Sequence, residues 1–334
     1  MKKILVASTA LAAVAFAGQA SASEPIKLSV GGFMEQWAGF SDEDGAGIDS
    51  EGRPNAFQSD TEVHFDGSTT LDNGIEIGAT VQLEGETSDD QIDAQYLYVN
   101  GGFGRFEMGK NDSAADAMGI IAPAVGPVGV NDGDMSNWVD VYLIDTVRSS
   151  GTQNRVTYYT PILSGFRAGV SFADDSQAND ETYNGINGAG DNIASAGLEY
   201  LSDFDGWSLG LSATGEESGD GAWYGFGANV GVGNFTVGGS YGHTEDDYGL
   251  NEDGQDLDAF DVGVSYAIDA ASVSLSYGYE DFGTGDVQAV DLGLAYELGA
   301  GVAWQSSVFW FDEKNDTDPD NDGYGAVTGI RLDF

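Results

Sequence analysis

Residues 75–84 read IEIGATVQLE, and the alternation in that run decides the fold. Successive side chains of an extended strand point to opposite faces. Ile75, Ile77, Ala79, Val81 and Leu83 therefore share one face, and Glu76, Gly78, Thr80, Gln82 and Glu84 the other. The pattern recurs along the chain. Trp207, Leu209, Leu211 and Ala213 alternate with Ser208, Gly210 and Ser212, and Phe260, Val262, Val264 and Tyr266 with Asp261, Gly263 and Ser265. The last segment sets Tyr324, Ala326, Thr328, Ile330, Leu332 and Phe334 against Gly325, Val327, Gly329, Arg331 and Asp333.

The connections alternate as well. Short links such as Leu71-Asp72-Asn73-Gly74 and Pro161-Ile162-Leu163-Ser164 join strands in pairs, and longer acidic stretches such as 41–55, 174–190, 245–256 and 312–323 separate the pairs. The spacing predicts sixteen strands, near 26–40, 57–69, 75–85, 91–101, 105–111, 150–160, 165–173, 192–201, 207–215, 222–231, 235–244, 257–267, 272–281, 286–297, 302–311 and 324–334. An even count with short turns on one side and long loops on the other marks a closed antiparallel transmembrane β-barrel. Closure has a direct cause: a strand edge facing hydrocarbon finds no hydrogen-bond partner. Period alone would also suit a secreted β-sandwich or β-helix with its apolar face turned into a core. Aromatics near the strand ends (Tyr158, Phe166, Tyr200, Trp207, Phe235, Tyr266, Tyr296) and a final aromatic, Phe334, favour the barrel.

The N-terminus reads as an export signal. Lys2 and Lys3 precede an apolar run, Ile4 to Ala17, and Ala20-Ser21-Ala22 offers small residues for cleavage. The expected organisation is a signal peptide over 1–22 and one barrel domain over 23–334. No stretch has the roughly 20 apolar residues of a spanning helix. Cysteine is absent, so no disulfide framework exists. Eleven Lys plus Arg stand against 56 Asp plus Glu, a net charge of −45 that becomes −47 once Lys2 and Lys3 are removed. That sign excludes a nucleic-acid partner. A hydrophobic fraction of 41% argues against disorder.

Several segments resemble the general bacterial porins. They are Ile26-Lys27-Leu28-Ser29-Val30-Gly31-Gly32-Phe33, Thr70-Leu71-Asp72-Asn73-Gly74, Gly102-Phe103-Gly104-Arg105-Phe106-Glu107-Met108-Gly109, Arg155-Val156-Thr157-Tyr158-Tyr159-Thr160-Pro161 and Ile330-Arg331-Leu332-Asp333-Phe334. In order along the chain, they look like the sixteen-stranded trimeric type found in alphaproteobacteria. The resemblance implies a homotrimer in the outer membrane, in contact with lipid and lipopolysaccharide, that passes small hydrophilic solutes passively and needs no cofactor. It also implies a third loop folded into the pore. Residues 112–149 fit that slot, and their apolar run Ile120-Ile121-Ala122-Pro123-Ala124-Val125 suits an inner wall better than an exposed loop.

A diffusion pore needs a water-filled tube and a constriction that sets size and charge preference. Parity places Glu62, His64, Asp66, Arg105, Glu107, Arg155 and Arg167 in the lumen. Asp112, Asp116, Asp132 and Asp134 are loop acids that either supply the negative side of the constriction or are solvated without influence on conduction, and Arg148 is a further basic candidate near the loop's end. Porins of this type commonly carry an arginine ladder on the wall, and Glu62 and His64 depart from it. A modest cation preference is the expectation. Lys110 falls on the outward face. It either meets acids of a neighbouring subunit, Glu86, Asp89 or Asp90, or snorkels to the membrane surface.

The loop holding Asp316, Asp318, Asp320 and Asp322 spaces its carboxylates like the start of a calcium loop, although position twelve counted from Asp318 is Gly329 instead of Glu. Calcium is thus one candidate ligand, and a solvated loop is the other reading. The two histidines, His64 and His243, form no zinc motif or catalytic triad, so no enzyme is expected. A channel selective for one nutrient class and a barrel adhesin are the competing functions.

Overall fold

The computed structural model describes residues 25–45, 53, 55–85, 91–131, 134–174, 192–249, 251, 254–316 and 319–334. Sixteen strands follow in chain order: β1 (Lys27–Glu43), β2 (Ala56–Thr70), β3 (Glu76–Glu84), β4 (Ile92–Gly101), β5 (Gly104–Asn111), β6 (Gln153–Tyr159), β7 (Phe166–Ala173) and β8 (Ile193–Phe204), then β9 (Trp207–Ser218), β10 (Gly221–Val232), β11 (Phe235–Thr244), β12 (Leu257–Ile268), β13 (Ala271–Asp281), β14 (Gly285–Gly299), β15 (Val302–Asn315) and β16 (Asn321–Asp333). Each pairs antiparallel with its neighbours in sequence, and β1 pairs with β16 to close the ring. At that seam the Phe334 and Gly32 amides each donate to the other's carbonyl at 3.0 Å.

The period-2 reading holds at the level of single residues. Along β8, Ser195, Gly197 and Glu199 are buried while Ala194, Ala196 and Leu198 are exposed. The exposed set is apolar because it faces lipid, and the covered set is polar because it faces the interior. The predicted strand order and number match the structure. Several strands run further than hydropathy suggests: β9 reaches Ser218, β8 Phe204 and β15 Asn315. Ladder hydrogen bonds continue into water, where nothing forces alternation. The Asp72-Asn73-Gly74 link is a tight turn in which the Gly74 amide donates to the Leu71 carbonyl at 2.9 Å. Gly74 sits at φ +81°, which a side chain would resist.

Residues 112–152 join β5 to β6, and the described ones among them (112–131 and 134–152) lie inside the barrel, with short 3₁₀ turns at Asp116–Met118 and Asp134–Asn137. The largest buried apolar cluster among the described residues forms there. Val128, Val130, Met135, Trp138, Val139 and Ile144 of the loop pack on Trp37, Leu257, Val287, Phe309, Phe311 and Val327 of the inner wall. The barrel therefore carries its core within the lumen, on one side only.

Candidate functional site

The loop is bound to the wall mainly through its own main chain. The Ile120, Ala122, Val125 and Val128 amides donate to Ser212 Oγ (3.1 Å), Asp261 Oδ2 (3.0 Å), Ser274 Oγ (3.0 Å) and Ser307 Oγ (3.3 Å). Further along, the Asp140, Tyr142, Asp145 and Ser150 amides donate to carboxylates of Glu43 (2.8 Å), Glu313 (2.7 Å), Glu280 (2.8 Å) and Glu216 (2.7 Å). An irregular segment away from bulk water must place its backbone donors somewhere, and inward-facing hydroxyls and carboxylates supply the acceptors. Space matters too. A Cβ at Gly227 would overlap the Ile120 carbonyl, so only glycine admits the loop at that point.

The loop thus covers the inner face from β7 around to β1 and leaves β2–β5 facing the water across from it. On that open wall stand Glu62, His64 and Asp66. Glu62 and His64 touch at 2.6 Å, and the exposed Asp66 accepts from the Thr80 hydroxyl at 2.7 Å. Arg105 is held by Glu107 at 2.5 Å and lies over the Tyr98 ring, 3.8 Å from its centroid. Arg167 pairs with Glu199 at 2.8 Å.

The other basic candidates serve the loop. Arg155 points inward as parity predicts, but it is buried beneath the loop, donating to Ser150 Oγ (2.9 Å) and the Gly151 carbonyl (2.6 Å), with Glu216 at 3.9 Å. Arg148 is a loop residue whose guanidinium meets the buried Glu280 at 2.5 Å. Asp116 accepts from Ser149 at 2.7 Å. Its carboxyl and that of Asp145 are pushed above the usual carboxylate range by burial, against the opposing pull of Arg155 on the first and Arg148 on the second. Asp112 is pushed up to about 7, first by the protein packed around its carboxyl and then by the charges of Asp116 and Asp93. Part of that residue is still open to water.

Asp134 begins the second 3₁₀ turn. Asp132, Glu86, Asp89, Asp90 and Asp318 lie outside the described residues. Lys110 shares the outward register of Gln95 and Asn154, yet it is buried, its Nζ donating to the Ile92 carbonyl at 2.5 Å. At the end of β15, Lys314 reaches Asp312 of the same strand at 2.8 Å and Asp320 of the acidic loop that follows at 3.5 Å. No three metal-ligating side chains converge among the described residues. His243 faces outward beside Asp258 at 3.0 Å.

Sequence reasoning missed Glu43, Glu216, Asp261, Glu280 and Glu313, the carboxylates that hold the loop. Their inward parity is readable, but their partners are backbone amides from 66 to 171 residues away in the chain. It also missed the apolar stretch from Val128 to Ile144, whose density of Val, Trp, Leu and Ile is the signal that marks it.

Known proteins agree with this geometry. A family model described as Gram-negative porin matches residues 7–316. Among solved structures, a double mutant of the Rh. blastica porin is 18% identical, with a TM-score of 0.63 over 92% of this chain and all of that one. An anion-selective porin from Comamonas acidovorans is 15% identical, with a TM-score of 0.62 over 93% of this chain and all of that one. The outer membrane channel DcaP of Acinetobacter baumannii is 14% identical, with a TM-score of 0.62 over 92% of this chain and 97% of that one. No curated protein sequence matches the chain. With a closed sixteen-stranded barrel, a loop folded into its lumen and a family match over most of its length, the chain belongs to the Gram-negative porins, outer-membrane channels for passive diffusion of small hydrophilic solutes.

Proposed function

We propose that the channel is a general-diffusion pore with a modest preference for cations, and that it has no enzymatic activity and requires no cofactor. One observation carries the charge preference. Each inward arginine described above stands beside a carboxylate, Arg105 with Glu107, Arg148 with Glu280, Arg155 with Glu216 and Arg167 with Glu199. The positive side of the constriction is thereby neutralised, while Glu62 and Asp66 still face the water. Glu62 has His64 beside it and Asp66 accepts from the Thr80 hydroxyl, neither in an ion pair with an arginine, and wall carboxylates of this kind concentrate cations over anions. The net charge of −45 adds a field of the same sign at the mouths. The test is the reversal potential of the purified protein in a planar bilayer under a KCl gradient. A value toward the potassium equilibrium potential is expected, and one toward chloride rejects the reading. Liposome swelling with sugars of graded size is expected to fall smoothly with size; a single outlier would point to a substrate-selective channel instead.

The assembly proposed is a homotrimer with Lys110 at or near the subunit contact and Glu86, Asp89 and Asp90 as acids opposite it. The support is a lysine on the outward face that is buried instead of reaching for solvent. Lys110→Glu is expected to lower the melting temperature of the oligomer in detergent, and an unchanged melt refutes the pairing. Export through cleavage after Ala22 is part of the same reading, checked by the mass of the mature protein.

A further inference from the structure

The loop segment Ile120–Val128 contains no side chain that can form a hydrogen bond. Its amides at Ile120, Ala122, Val125 and Val128 are committed to the wall, the Ile121 carbonyl accepts from Asn229 Nδ2 at 3.2 Å, and two prolines donate nothing. Ile120 and Ala122 turn their side chains onto the glycines of β9, β10 and β12. The side chains left for the lumen are all carbon: Ala124 is exposed, and Ile121, Pro123, Val125 and Pro127 are half-buried. The segment is bonded to β9, β10, β12, β13 and β15, and in a ring of sixteen the strands across from that arc are β1–β7. Facing it there are Glu62 and Asp66, while the rings of Tyr98 and Phe33 are already covered by Arg105 and Arg331.

The permeation path is therefore two-sided, with an apolar ledge on one flank and carboxylates on the other. We infer that the channel favours small organic cations carrying an apolar flank, alkylammonium or arylammonium ions, over hydrophilic cations of equal charge. A hydrated potassium ion gains from the carboxylates alone and must keep its water beside the ledge. An alkylammonium ion turns its charged end to the acids and its hydrocarbon to the loop, removing apolar surface from water on both partners. A neutral sugar finds side-chain hydrogen-bond partners on one flank only. This inference rests on the cation preference proposed above and adds the chemistry of the preferred solute.

The experiment measures bi-ionic reversal potentials in planar bilayers for methylammonium, butylammonium, hexylammonium and benzylammonium chlorides against KCl. Permeability divided by aqueous mobility is expected to rise along the alkyl series, by roughly threefold or more from methyl to hexyl. A steady fall with size, as in a simple sieve, overturns the inference without help from any variant. The double substitution Ile121→Ser with Val125→Ser keeps the main-chain tethers and is expected to abolish the rise while leaving the K⁺/Cl⁻ reversal potential unchanged. A rise that survives the double substitution also overturns it. Anion preference in KCl alone would reject the underlying charge reading and is scored separately from the alkyl series.

Discussion

Asp261 is the side chain whose loss should release the loop most cleanly. It is buried in β12 and accepts from the Ala122 amide (3.0 Å), the Asn131 side-chain amide (2.7 Å), and both the amide (2.6 Å) and the hydroxyl (2.7 Å) of Ser240, so it joins two stretches of loop to two strands. Replacing it with alanine strands these four donors. Hydrogen bonds to charged groups contribute about 1.5–3 kcal/mol each, and the nearby lumen lets water recover part of that. A net loss of about 3–4 kcal/mol in the local opening free energy of the loop is expected. At roughly 1.4 kcal/mol per decade this is a factor of about 10²–10³. Hydrogen exchange read by mass spectrometry should show the amides of residues 120–126 exchanging faster by that factor, with the strand amides of β9 and β13 unaffected. Single-channel conductance should rise as the loop leaves its seat. The barrel should survive, since Ser240 alone among the β11 residues paired with β12 donates its amide to this carboxylate, and the rest of that ladder does not depend on it. Unchanged exchange at 120–126 together with unchanged conductance would refute the idea that wall carboxylates hold the loop.

Asp112, pushed up to about 7 from an ordinary 3.8, is neutral at pH 6 and charged at pH 8. Between its ordinary 3.8 and about 7 the folded chain keeps a proton that the unfolded chain releases, so its contribution to stability falls as pH rises from about 4 to about 7. That loss is small because the residue is partly solvated, whereas the K⁺/Cl⁻ permeability ratio should rise between about pH 6 and pH 8, where the folded chain's carboxyl ionises, and Asp112→Asn should flatten the rise. Gly227→Val should push the loop toward the pore and lower conductance, at about 1–3 kcal/mol of strain, and an unchanged conductance would contradict the close approach of Ile120. Glu199→Gln leaves Arg167 without its carboxylate and should shift the reversal potential toward chloride. Calcium should leave the melting temperature unchanged, because the Lys314 ammonium already lies between Asp312 and Asp320; a rise on adding millimolar calcium would restore the acidic loop as a metal site.

The barrel was legible because its determinant is local. Whether Leu198 faces lipid or Glu199 faces the interior follows from their neighbours two residues away, and lipid enforces the alternation at every step. The loop's position was legible only as a length, the longest connection holding an apolar run. Its anchoring was not, since the Tyr142 amide finds Glu313 across 171 residues, a pairing set by the curvature of the whole ring. The inward direction of the open-wall residues Glu62, His64, Asp66 and Arg105, and of Arg167 on β7, was readable from parity. So was that of Arg155, but parity gives direction and says nothing about what lies on top, and here a loop does.

The seam between β1 and β16 has a consequence for how the ring is made. Fifteen of the sixteen strand pairings join neighbours along the chain and can zip outward from their own turns. The last joins Gly32 to Phe334 and requires the two ends of an almost finished sheet to find each other. Before that moment the molecule is a curled ribbon with two bare margins, each a template for a stranger's strand. Ring closure is thus the slow and hazardous step of assembly, and a variant that weakens the seam should be lost to aggregation long before its finished pore would show a fault.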